Sequence, residues 1–165
     1  MVALGTGSGC VSGPDGRSGR TGRSDDPATS SVPPEDAVEV PPCPTWPAEP
    51  TASSVADFVE SFEVAYVTRT VLAENDRVTH VEFLELSDPE VVRRDEPRYV
   101  VRLRAAYTYG YRQSAGAEDT AVADSGAYHA SYRVGPDVAE RATARESPPD
   151  ADTERKDVSC PPQTQ

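Results

Sequence analysis

Tyr99-Val100-Val101-Arg102-Leu103-Arg104-Ala105-Ala106-Tyr107-Thr108-Tyr109-Gly110-Tyr111-Arg112 alternates with a period of two. Tyr99, Val101, Leu103, Ala105, Tyr107, Tyr109 and Tyr111 fall on one side, with Val100, Arg102, Arg104, Ala106, Thr108, Gly110 and Arg112 on the other. Side chains of an extended chain point to opposite faces in turn, so the run reads as a long strand with one face on a core and the other wet. Beyond a Ser-, Ala-, Gly- and acid-rich loop at 113–121, Val122, Gly126, Tyr128, Ala130, Tyr132 and Val134 alternate with Ser125, His129, Ser131 and Arg133. This second strand is suited to antiparallel pairing with the first. Upstream, Val78 to Leu86 reads as a third strand whose imperfect alternation points to a bulge. Gly135-Pro136-Asp137 is a turn signal that sets off a fourth, Val138 to Ala144, and the polar residues 146–157 read as irregular.

Ahead of the strands the period changes. Val55, Phe58, Val59, Phe62, Ala65, Tyr66 and Leu72 fall largely at i, i+3, i+4 and i+7, the apolar stripe of a helix over 51–75. Thr51, Ser53 and Ser54 offer N-caps after Pro50, Asp57 and Glu60 lie in the early turns, and Asn75-Asp76 is a stop. One helix followed by antiparallel strands gives an α+β domain, with the helix packed on a sheet of three to five strands. The order is similar to that of cystatin-like and NTF2-like half-barrels, a likeness of fold that implies no function.

The 165 residues carry 36% apolar content and a formal charge of −12. The acidity argues against a nucleic-acid binder, which would normally show a basic patch, and no uncharged apolar run approaches the roughly 18 residues of a membrane span. Lys156 is the single lysine, Asn75 the single asparagine, and there is no isoleucine. An acidic, lysine-poor surface keeps a chain soluble when salt screens its charge, which points to a halophilic source.

Of the first 50 residues 16 are Pro or Gly, and Ser12 to Arg23 has no apolar periodicity with which to repay the entropy of ordering. Residues 11–50 therefore read as a disordered linker that stiffens toward Pro47, and 51–165 as a single domain with an irregular tail. The 32 residues between Cys10 and Cys43 span roughly 30 Å as a coil at ~5–6 Å × √n.

Cys43, in Pro42-Cys43-Pro44, and Cys160, in Ser159-Cys160-Pro161, bracket the domain and are placed for a disulfide. A loop near 100 residues contributes up to ~4.7 kcal/mol by chain entropy. Cys10 follows Val2-Ala3-Leu4-Gly5-Thr6-Gly7-Ser8-Gly9 and precedes the polar tract. Small residues before such a Cys look like the end of a lipoprotein signal peptide, with residues 1–10 its remnant and Cys10 the lipidated position. Gly7 stands where a lipobox prefers an aliphatic residue, and the basic and apolar leader is missing, so the expected start lies upstream of Met1. The alternative is a cytoplasmic protein with a disordered N-terminal tail.

No motif names a reaction. His80 and His129 lie on separate strands without HExxH, CxxC or clustered carboxylates, so neither a metal site nor a cofactor is expected. An acid–base pair from His80 with Glu82 or Asp124 is the weak enzymatic alternative. Tyr107, Tyr109, Tyr111, Tyr128 and Tyr132 form an aromatic stripe that reads as core continuing to the sheet rim or, with His80 and His129, as a ligand face. Arg102, Arg104, Arg112 and Arg133 lie opposite, to pair with acids such as Glu82 and Glu85 or to hold an anion or partner.

Together these features resemble small haloarchaeal secreted lipoproteins of unknown function. The resemblance implies a non-enzymatic envelope protein, held by membrane lipid at Cys10 on the outer face of the membrane, whose domain meets an envelope partner or small ligand. An NTF2-like carrier or enzyme using the tyrosine face is the alternative.

Overall fold

Helix α1 (Ala52–Glu74) is followed by β1 (Val78–Leu86), β2 (Glu90–Asp95), β3 (Arg98–Arg112), β4 (Thr120–Asp124), β5 (Tyr128–Gly135), β6 (Val138–Ala144) and β7 (Lys156–Asp157). The computed structural model describes residues 38–87, 89–116 and 118–160, so Cys10 and the linker up to residue 37 lie outside the described residues. The helix begins as its sequence dictates. Thr51 caps it by accepting from the Ser54 amide, and the Ser54 hydroxyl accepts from the Thr51 amide in return, a reciprocal capping box.

All strand pairs are antiparallel, in the order β1-β3-β5-β6-β7, with β2 and β4 also on β3. In space the arrangement is simpler than the count. β1 and β2 lie end to end along one side of β3, and β4 and β5 end to end along the other. Each break inserts one residue. Leu86 and Glu90, four apart, face Ala105 and Arg102, three apart. Asp124 and Tyr128, four apart, face Thr108 and Ala105, also three apart. A single extra residue bends a strand and reverses the side to which its residues point.

At both breaks a serine closes the ladder. Ser87 donates its amide to the Arg104 carbonyl and accepts the Arg104 amide on its hydroxyl, both at 2.9 Å. Ser125 does the same with Tyr107, at 2.9 and 3.0 Å. The side-chain oxygen stands where a regular partner strand would present a carbonyl, so no β3 amide is orphaned at the bend. Gly126, at φ 63°, supplies the left-handed turn that the second break requires.

These breaks account for the departure from three to five strands. The expected strand over 122–134 is cut into β4 and β5, and its phase changes at the cut. Val122 therefore faces outward opposite Gly110 and is 65% exposed, rather than sharing a face with Tyr128. β2 arises from the charged run Glu90–Asp95, whose register on β3 shifts between Val91 and Arg93, so no single alternation runs along it. β7 comes from the tail read as irregular. The bulge expected in β1 is present between Phe83 and Glu85, and it leaves Leu84 outside the ladder and 58% exposed.

The first half of α1 packs Val55, Val59 and Phe62 on Tyr99, Val101, Leu103, Ala130 and Tyr132. Its second half leans toward β1, where Val67 and Val71 meet Val78 and, partly buried around them, Val81 and Tyr109. The packed chain also begins earlier than residue 51. Val38 sits against the second cluster, Trp46 packs on Phe58 and Tyr99, and the Arg69 guanidinium donates to the Pro41 carbonyl at 2.8 Å. The prolines that made 38–50 look like a linker set it in an extended path over the helix, so Ala65, Thr68 and Arg69 are buried in addition to the sheet-facing stripe. Cys43 and Cys160 meet in this layer with disulfide geometry, their Cα atoms 5.9 Å apart across a separation of 117 residues.

Candidate functional site

The helical stripe contains one acid. Glu63 follows Val59 by one turn, points at the sheet and has no exposed surface. Across from it, Arg141 on β6 pairs with Tyr132 on β5, which puts the guanidinium on the helix side of the sheet. Arg141 donates through Nη2 to Glu63 Oε1 at 2.6 Å and through Nε to Oε2 at 3.0 Å, a two-pronged ion pair. The Tyr128 hydroxyl adds a bond to Oε1 at 2.6 Å, and the Tyr132 hydroxyl one to Oε2. Four donors on two oxygens leave the carboxylate nothing further to accept in the plane of its lone pairs.

The guanidinium is framed by rings. Its carbon lies 5.2, 5.7 and 5.9 Å from the centroids of Tyr66, Tyr128 and Tyr132, within cation–π range. Burial, the largest single influence, lowers the affinity of Arg141 for its proton, but Glu63, Tyr132 and Tyr128 together outweigh it and the net shift is upward. Burial and the neighbouring Glu63 both push the Tyr128 and Tyr132 hydroxyls well above the usual phenol range. These shifts hold the guanidinium of Arg141 charged and the two phenols neutral.

Above Arg141 the domain opens. Because the second half of α1 leans toward β1, the ends of β5 and β6 lack a helical cover, and a cavity of about 490 Å³ lies between them. Tyr66, Val67 and Thr70 line it from the helix, Tyr107 from β3 and Tyr128 from β5. Arg141, Thr143, Ala144 and Arg145 line it from β6 and beyond, with Ser125 at the bend completing the wall. Burial raises the Tyr107 phenol, and the strongest charge that reaches it, Arg141, opposes that rise. The size falls in the range of small-molecule sites.

The structure divides the residues expected on a ligand face. Tyr107 and Tyr128 meet edge to face, centroids 6.1 Å apart, and line the cavity, with Tyr132 buried beneath. Tyr109 and Tyr111 meet at a tilt further along β3, their centroids 6.0 Å apart. His80 and His129 belong to the opposite face. His80 is aligned with Gly110 and His129 with Arg104, six positions away on β3, or ~20 Å at ~3.3 Å per residue. The His80 ring lies over Gly110, with Nδ1 3.2 Å from the Thr79 hydroxyl. Glu82 and Asp124 flank Thr108 from either side on that outer face, so the acid–base grouping is outside the cavity. Among the described residues no cluster of three or more metal-ligating side chains occurs.

The arginine face is paired. Arg104 bonds Glu85, Arg133 bonds Glu140 at 2.8 Å, and Arg102 lies 3.9 Å from Asp150. Arg112, also on this face, donates its amide to the Arg77 carbonyl. The tail crosses the same face: Asp152 pairs with Arg93 at 3.0 Å, and Arg155 bonds the buried Ser131 hydroxyl at 2.8 Å. Half-wet ion pairs of this kind contribute ~0–1 kcal/mol each.

Glu63 and Arg141 were absent from the sequence expectation, although each carries a signal. Glu63 is an acid inside an apolar helical stripe, and Arg141 occupies an inward position of its strand. No protein-family model, no curated protein and no solved structure matches the chain, so its fold is defined by its own topology.

Proposed function

We propose that this is a lipid-anchored envelope protein of a halophile, tethered through Cys10, whose α+β domain is a non-enzymatic binding module taking a small organic ligand between helix and sheet. The observation that carries the reading is the tyrosine-walled cavity of about 490 Å³, set over a carboxylate whose lone pairs are all occupied. An acid held by four donors binds and orients but has no free position from which to move a proton. The two histidines stand on the other side of the sheet and offer the cavity no base. Support for the anchor comes from the sequence: small residues before Cys10, a tether rich in Gly, Ser and Pro, and a cysteine pair suited to an oxidising compartment.

Two measurements test the two halves separately. A small-molecule panel read by chemical-shift perturbation of the full chain is expected to give ligands whose shifts centre on Tyr66, Tyr107 and Thr143. These should vanish in Thr143→Trp, which fills the cavity from an exposed strand position. Ligands that bind Thr143→Trp unchanged would overturn the site. For the anchor, the native protein is expected to partition with membrane and to carry a mass increment of acyl or isoprenoid size on a peptide beginning at Cys10. An unmodified soluble chain would remove it.

A further inference from the structure

The cavity is lined by cationic groups in an acidic chain. Arg141 spends Nε and Nη2 on Glu63, and among the described residues none accepts from its Nη1. That edge belongs to a residue lining the cavity. Arg145 anchors one Nη1 on the Ser125 carbonyl at 3.0 Å, and among the described residues no carboxylate pairs with it. Glu63 balances one of the two guanidiniums, so the immediate lining carries about one unit of positive charge. The tyrosine rings do not make a cage for a cationic ligand, because Arg141 already lies against Tyr66 and Tyr128. A second cation would meet the first in a partly desolvated space.

Resting on the binding-module reading above, we infer that the cavity takes a small organic monoanion. Its planar or apolar body lies among Tyr66, Tyr107 and Tyr128, and its carboxylate-like group is held by Arg141 Nη1 and Arg145. Thr143 lines the same cavity and offers its hydroxyl to the head group, whereas Thr70 spends its proton on the Tyr66 carbonyl at 2.8 Å. The pairing of guanidinium with carboxylate is charge-assisted and stronger than a neutral hydrogen bond. Selection between an anion and its neutral isostere thus falls to the arginines and not to the rings.

The test keeps the body and changes only the charge: 2-naphthoate, 2-naphthamide and 2-naphthylmethylamine, titrated into the full chain by calorimetry and chemical-shift mapping. The expected order is naphthoate tighter than naphthamide by about tenfold or more, with the amine weakest. Arg145→Gln, on an exposed side chain, should weaken naphthoate far more than naphthamide and so remove most of the naphthoate preference, while Thr143→Trp abolishes binding of both. Equal affinities, or an amine that binds best and is still blocked by Thr143→Trp, would overturn the anion assignment and leave the binding module standing. No binding of any of the three, or binding indifferent to Thr143→Trp, would overturn both.

Discussion

Removing Arg141 tests the architecture most directly. In Arg141→Met the apolar stem is kept, but Glu63, with no exposed surface, loses two of its four donors and the counter-charge that Arg141 supplies. Breaking a buried ion pair by deleting one partner costs ~3–5 kcal/mol, because the remaining charge is left uncompensated. A domain of this size has ~5–15 kcal/mol in total, so the variant is expected to lose about a fifth or more of its stability. At ~3–5 °C per kcal/mol the melting temperature falls by ~10–20 °C. Glu63→Leu alone orphans the Tyr128 and Tyr132 hydroxyls as well as the guanidinium, and should cost at least as much. In the double variant the charges disappear together and only the two phenols lose an acceptor, at ~1–3 kcal/mol each. Urea unfolding followed by Trp46 fluorescence and circular dichroism measures all four corners of the cycle. A coupling free energy of at least ~2 kcal/mol is expected; a loss below ~1 kcal/mol for Arg141→Met, or additive single effects, would refute the claim that this pair anchors helix to sheet.

Other consequences can be checked independently. Tyr107, Tyr128 and Tyr132 have phenol pKa values raised by folding, so their contribution is fully present below about pH 10, where the unfolded phenols ionise, and is lost as pH rises further. Tyr128 and Tyr132 each cost up to ~1.4 kcal/mol per pH unit there, and Tyr128→Phe/Tyr132→Phe should flatten the alkaline slope measured by urea titration at pH 9–12. Reduction, or Cys43→Ser with Cys160→Ser, should lower stability by ~2–5 kcal/mol, read by melts with and without reductant. At Gly110 a methyl group would overlap the His80 ring, so Gly110→Ala is expected to cost ~1–3 kcal/mol. His80→Ala should recover most of that loss in the double variant, and a loss unaffected by His80→Ala would place the strain elsewhere.

The long alternating run over 99–112 made the central strand legible, and the stripe from Val55 to Leu72 did the same for the helix, because in each case one face is buried and one is not. Thr51 and Asn75 marked the helix ends through their side-chain chemistry. What escaped was whatever depends on phase. The inserted residue before β5 turns Val122 outward, and periodicity measured across the insertion assigns it to the wrong face. Val38–Pro50 read as linker because proline-rich composition looks the same whether the extended chain runs through water or over a helix. The candidate site was half visible: Tyr107 and Tyr128 from their stripe, but not Glu63 and Arg141, whose pairing depends on two elements 78 positions apart meeting in space.

Ser87 and Ser125 give the sheet an adjustable joint. At each bend a main-chain amide of β3 is satisfied by a side chain, so the bond that closes the break rests on a replaceable residue and not on the backbone ladder that holds the rest of the sheet. Alanine at either position withdraws a bond that elsewhere no mutation can reach. At the second bend that bond belongs to a residue of the cavity wall, so the wall at Ser125 can change without touching any residue that lines the cavity from the helix.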